Sequence, residues 1–252
     1  MLKVRVIPTL LYKSVGLVKG VGFDSWRRVD TVLPAIKVYN MREVDELILM
    51  DIEATREGRE PDYEEIRDFS RECFVPFTVG GGIRSVEQIR QLLRAGADKV
   101  SVNTAAYENP DLIRQGAEMF GSQCIVVSID CKEIDGEYRC FSHSGTTDTG
   151  YSLREWAAIA AEKGAGELLV TSVTRDGTMK GYDIAMIKQA AETVSVPVIA
   201  SGGAGNYEDM YQAVTSGGAS AVAAASIYHF TEQTPKEAKE YLGERGIPVR
   251  LL

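Results

Sequence analysis

A chain of 252 residues has room for one large domain or two small ones, and 44% apolar with 25% charged residues supports a sizeable core. The formal charge of −8 argues against a basic face of the kind that grips nucleic acid or an anionic membrane surface. Only two histidines are present, and the four cysteines (Cys73, Cys124, Cys131, Cys140) follow no metal spacing, so a His-based metal centre, a Ser-His-Asp triad and a disulfide framework are all poorly supplied.

Short β-branched runs predict strands at 4–10, 46–52, 74–80, 99–104, 124–131, 167–173, 196–202 and 221–226. Amphipathic segments such as 85–95, 110–120, 153–163 and 184–194 predict helices between them. Eight rounds of strand and helix imply a parallel sheet, and an even number of near-continuous apolar strands favours closure. The expected fold is α/β: a single (β/α)8 TIM barrel, with 1–252 as one domain. Cys124 and Cys131 fall in or beside an apolar run and are expected as buried free thiols. No apolar stretch is long enough to span a bilayer and Met1 opens no signal peptide, which predicts a cytoplasmic protein with no membrane or nucleic-acid partner.

The second half echoes the first. ELILMDIEATREGREPDYEEI, from Glu46, lines up with ELLVTSVTRDGTMKGYDIAMI, from Glu167. VPFTVGGGIRSVEQI then matches VPVIASGGAGNYEDM, and KVSVNTAA matches AVAAASIY. The same order of strand, paired glycines, helix and strand is a two-fold repeat of half-barrels. It implies two similar corners at the C-terminal strand ends, where barrel enzymes place their sites.

The first corner joins Gly80, Gly81 and Gly82, after strand three, to Asn103 and Thr104, after strand four. Its copy joins Gly202 and Gly203 to Ala224, Ala225 and Ser226, with Asp176 and Gly177 on a supporting polar loop. Glycine lets the backbone turn sharply and present several N–H groups to an anion at a helix N-terminus. One glycine pair reads as an ordinary turn; the duplication favours phosphate. The expected ligand is a phosphorylated small molecule carrying two phosphates, with no cofactor and no metal.

At this point the chain resembles the synthase (cyclase) subunit of imidazole glycerol phosphate synthase, from KVRVIP at the start to IPVRL at the end. PFTVGGGIR, DKVSVNTAA, FGSQCIVVSID, TSVTRDGTMKGYD and VPVIASGGAG carry the resemblance most specifically. It implies a barrel fed with ammonia by a separate glutaminase, and two aspartates on strands one and five acting as acid and base. The strand-five aspartate is Asp130; the strand-one position holds Leu11, where family members resemble IPCLDVKDG. Leucine neither gives nor takes a proton, and losing a positioned acid or base costs about 10²–10⁴-fold in rate. Lys19 resembles the family's substrate-contacting loop lysine, with a solvated surface charge as the equal alternative. Asp51 adds a carboxylate at the mouth or caps the following turn.

At the other end, Arg5, Glu46, Lys99 and Glu167 open four strands with inward parity, set by the two-residue period of strands. Two positive and two negative charges there match the family's salt-bridged ammonia gate, and Ile48, Thr78, Ser101 and Val126 continue the same face toward the site. A preserved conduit with Leu11 in place of an acid resembles divergent copies that serve amidation of a surface (O-antigen) sugar. The expected role is therefore ammonia delivery from the glutaminase toward a sugar amidotransferase. The alternatives are a histidine-biosynthesis cyclase, a noncatalytic phosphate-binding scaffold, and an aldose-ketose isomerase built on the same half-barrel repeat.

Overall fold

The computed structural model describes residues 3–251. One sheet contains β1 (Arg5–Lys13), β2 (Gly16–Val21), β3 (Asp24–Asp30), β4 (Leu47–Asp51), β5 (Phe77–Gly80), β6 (Lys99–Val102), β7 (Ile125–Ile134), β8 (Glu137–Ser142), β9 (Thr147–Ser152), β10 (Glu167–Ser172), β11 (Val198–Ser201) and β12 (Ala221–Ala224). Eight of them run parallel in the order β1-β4-β5-β6-β7-β10-β11-β12, and β12 pairs with β1 to close the ring. This is the expected (β/α)8 barrel.

Strand period explains why the core divides in two. Ile7, Ile48, Val126, Leu169, Ile199, Ala221 and Ala223 point inward and form one cluster inside the barrel. Their alternates, among them Val6, Leu47, Leu49, Val79, Val100 and Val127, point outward into a second cluster beneath the helices. Both faces are thus buried, which is why these strands read as continuous apolar runs.

The covering helices are α1 (Val32–Met41), α2 (Ala54–Glu57), α3 (Tyr63–Glu72), α4 (Val86–Ala95), α5 (Thr104–Glu108), α6 (Asp111–Phe120), α7 (Leu153–Glu162), α8 (Ile184–Thr193), α9 (Tyr207–Thr215), α10 (Ser226–Phe230) and α11 (Pro235–Glu244). Helix α4 shows how they are specified. Ser85 caps its start by accepting from the Gln88 amide at 3.2 Å, and Gly96 ends it in the left-handed region. Ile89 and Leu92 are fully buried against the sheet, each worth about 1.5–3 kcal/mol. Leu92→Ala would cost about 2–5 kcal/mol.

Two antiparallel hairpins were not expected. β2 and β3 follow β1, and β8 and β9 follow β7, at equivalent places in the two half-barrels. The segment after strand one is therefore a folded hairpin rather than a loop. Strand five continues past the barrel as the first arm of the other hairpin. Several predicted bounds also shift. Phe74 is 79% exposed and precedes β5, while Thr104 and Ser226 start helices instead of ending strands. Cys124 is only half-buried; Cys131 is buried opposite Cys140, and all four cysteines are free.

Candidate active site

The C-terminal ends of the barrel strands surround a cavity of about 280 Å³. Leu11, Lys19, Asp51, Gly81, Gly82, Asn103, Thr104, Asp130, Asp176, Gly177, Gly202, Gly203, Ala225 and Ser226 all line it. Of the residues that the sequence assigns to this end of the barrel, Ala224 also lines it, whereas Gly80 lies behind it against Met50 and Ser101.

The two corners have matching backbones. Gly81 and Gly82 have φ of 106° and 72°, and Gly202 and Gly203 have 85° and 115°. A Cβ on Gly81 would stand 2.1 Å from the Asp51 carbonyl oxygen, and one on Gly203 would stand 2.3 Å from that of Gly181. Glycine is therefore required twice, by conformation and by space. Asn103 and Ala225 precede α5 and α10 with φ of −130° and −129°. Their hydroxyl neighbours differ. Thr104 Oγ1 accepts from the His143 amide at 3.0 Å, whereas the buried Ser226 Oγ has no partner among the described residues.

Asp130 sits where β7 reaches the cavity, and the Asn103 side-chain amide donates to it at 3.2 Å. Burial pushes its carboxyl up to about 7, and the negative charge of Asp176 adds to the rise while Ser128 opposes it. A carboxyl with that pKa is part protonated near neutrality, so it can both give and take a proton.

Lys19 is only 2% exposed and pairs with Asp176 at 2.6 Å, which removes the solvated-surface reading. Asp51 accepts from the amides of Glu53 at 3.0 Å and Ala54 at 2.9 Å, and from Arg59 at 3.1 Å. It caps the start of α2 while one face borders the cavity. Leu11 lies in register with Val18 on β2 and Met50 on β4, and Leu11 and Met50 form an apolar stretch of wall where the second carboxylate was expected.

Phe23, Trp26, His143 and Ser144 also line the cavity and were missed. They come from the two hairpins, whose strands carry no long apolar run. Among the described residues, no group of three or more His, Cys, Asp or Glu side chains is placed to hold a metal ion, and no helix is long and apolar enough to cross a membrane.

At the opposite end the four charged residues do meet. Arg5 bonds Glu46 at 2.7 Å and Glu167 at 2.9 Å; Lys99 bonds Glu46 at 3.0 Å and Glu167 at 3.2 Å. Thr78 donates to Glu46 at 2.8 Å. Glu46 is almost fully buried, and these partners satisfy its carboxylate oxygens. Burial works against the Arg5 cation, yet the charges of Glu167 and Glu46 hold its pKa above the usual value. Above the ring, Ile48 and Val126 belong to the inner apolar cluster, and Ser101 Oγ is buried without a partner among the described residues.

The histidine biosynthesis protein family matches residues 5–234. Over all of this chain and all of each relative, the sequence is 50% identical to the imidazole glycerol phosphate synthase subunit HisF of Chlorobaculum parvum, 49% to that of Chloroherpeton thalassium and 50% to that of Chlorobaculum tepidum. With the closed barrel and its doubled corners, these full-length matches show that the chain belongs to the HisF-like family of imidazole glycerol phosphate synthase subunits.

Proposed function

We propose that this chain is the synthase subunit of a glutamine-dependent pair. Ammonia from a separate glutaminase enters at the ring of Arg5, Glu46, Lys99 and Glu167 and reacts in the cavity with a phosphorylated acceptor. The observation that carries this reading is one cavity lined by two glycine corners of matching backbone and by the buried Asp130 carboxyl, whose burial raises its pKa. The unpartnered Ser226 hydroxyl suits a phosphate oxygen at the second corner. In this reading the inward face of Ile48, Thr78, Ser101 and Val126, between the ring and the cavity, is the route that the small neutral molecule takes. Four unbridged cysteines suit a reducing cytoplasm.

For the acceptor, full-length identity near 50% best supports the bisphosphorylated ribulosyl compound of histidine biosynthesis, converted to imidazole glycerol phosphate. Asp130 is the proton-transfer group in this reading, and Lys19 and Asp176 flank the substrate. Leu11 favours a second reading, in which the barrel delivers ammonia to a sugar amidotransferase and ring closure is no longer its task.

Turnover of the histidine-pathway substrate with ammonium supplied separates the two. A rate within about tenfold of an ordinary cyclase supports the first. A rate 10²–10⁴-fold lower with phosphate binding intact supports the second, and Leu11→Asp then tests whether a carboxylate restores turnover. Glutaminase coupling is tested by titration with the partner and by Lys99→Ala. The expected result is a one-to-one complex in which the substitution leaves glutamine hydrolysis running while product falls. No complex at micromolar concentration, together with unchanged coupling, would remove the conduit from the proposal.

A further inference from the structure

Two aromatic rings at the cavity mouth have no part in the phosphate reading. β2 and β3 join through a two-residue turn, Gly22-Phe23, with φ of 59° and 64°. Turns of this hand favour asparagine and glycine, and a bulky side chain there is strained. The Phe23 ring packs against Gly145 of the β8–β9 turn, where a Cβ would stand only 3.1 Å from it. Lys19 bonded to Asp176 at 2.6 Å, and the Gly22 amide donating to the Asp176 carbonyl at 2.9 Å, hold the same hairpin down. The hairpin is thus fastened across the mouth at its tip and along one edge.

Trp26 lies on β3, just beyond the fastened turn. It is half-buried and lines the cavity. The Lys13 ammonium stands 5.5 Å over its ring and does not itself line the cavity. A half-buried indole that lines the cavity, with a cation over its ring, is suited to stack on the face of a bound ring.

We infer that Trp26 is a stacking platform for a ring carried by the phosphorylated ligand, and so a determinant of which acceptor this barrel takes. Phe23 is the clamp that holds it there. The ring is a planar heterocycle or a pyranose, since both offer a face to an indole. The inference rests on the phosphorylated-acceptor reading above and adds the substrate class to it.

Calorimetry on the whole chain tests it with four probes: inorganic phosphate, glycerol 3-phosphate without a ring, AMP with a planar heterocycle, and glucose 6-phosphate with a pyranose. One ring probe should bind at least about fivefold tighter than glycerol 3-phosphate. Trp26→Ala should weaken that probe about tenfold and Trp26→Phe should restore most of the loss, while inorganic phosphate and glycerol 3-phosphate change less than about twofold. The preferred ring probe should also change the indole emission of Trp26, because Trp156 is fully buried. A preference for AMP assigns the heterocycle, and one for glucose 6-phosphate assigns the pyranose. The platform is overturned if neither ring probe outbinds glycerol 3-phosphate, or if Trp26→Ala leaves the preferred one unchanged. Failure of all four probes to bind overturns the phosphorylated-acceptor reading, and the platform with it.

Discussion

In the first half-barrel, β1 ends as Leu11-Tyr12-Lys13 and runs into the β2–β3 hairpin; in the second, β7 passes through Asp130-Cys131-Lys132 and runs into β8 and β9. Each half then supplies a glycine pair with positive φ and a short helix opening over the cavity. Backbone features are kept in both halves, whereas a carboxyl at the strand end facing the cavity, Asp130 against Leu11, is present in one. Anion binding by N–H groups depends on chain path, and a path survives wherever glycine and a tight contact enforce it. Acid-base chemistry depends on a single side chain. In the proposed reading one side-chain change is enough to remove it and need not disturb the fold: Leu11 sits in regular register with Met50 on β4.

The largest expected effect tests that asymmetry. Asp130→Asn keeps the shape and the Asn103 contact but removes the proton, and should lower turnover of the true acceptor by about 10²–10⁴-fold. Phosphate affinity should change little. Steady-state rates paired with calorimetry check both, and an unchanged rate would mean that neither half-barrel supplies a carboxyl acid or base at this position.

The same residue makes a pH prediction. Its folded pKa of about 7 lies above the ordinary aspartate value of about 3.9, so the folded state holds the proton more tightly than the unfolded chain. The favourable contribution is fully present below about pH 4 and is lost as pH rises through about 7. At about 1.4 kcal/mol per pH unit the loss approaches roughly 4 kcal/mol. Denaturant unfolding between pH 4 and 8 should show this decline in the native protein and a flatter profile in Asp130→Asn. Parallel profiles would mean that the carboxyl ionises in the fold as easily as in the open chain.

Much of this was legible in the sequence for a simple reason. Barrel strands such as VVSI and VIAS are apolar on both faces, and the glycine pairs recur at fixed places after them, so fold and corners could be read directly. Parity put Arg5, Glu46, Lys99 and Glu167 on one inward face, and the family resemblance favoured a charged ring over ordinary surface charge. The hairpins were not. β3 reads DSWRRVD and is largely exposed, with no apolar alternation to mark it. Its turn uses Gly22-Phe23 where Asn-Gly would have signalled a hairpin. Trp26, His143 and Ser144 were missed for the same reason, since they reach the cavity only once those hairpins fold over it. The sugar-amidation reading drew on Leu11 beside a preserved charged ring and on a resemblance to divergent copies, and the relatives' full-length identity draws on the whole chain. That difference in weight is why histidine-pathway chemistry is now the better-supported acceptor reading.

The smallest expected effect tests whether the two corners are equivalent. Gly82→Ala would bring its Cβ 2.7 Å from the Arg59 carbonyl oxygen at φ 72°, and Gly203→Ala would bring its Cβ 2.3 Å from that of Gly181 at φ 115°. Each combines a left-handed strain with a clash against backbone, and backbone yields less readily than a side-chain tip. Each should cost about 1–3 kcal/mol of stability by denaturant unfolding. Each should also weaken one phosphate corner while sparing the other. A bisphosphate ligand would then lose affinity to a similar degree in both variants, because either end released leaves the molecule held by one phosphate. If Gly203→Ala abolishes binding and Gly82→Ala leaves it within twofold, the corners are equal in backbone only. The ligand would then be anchored through the second half-barrel, where the Ser226 hydroxyl has no partner among the described residues, with the first corner open to a neutral group.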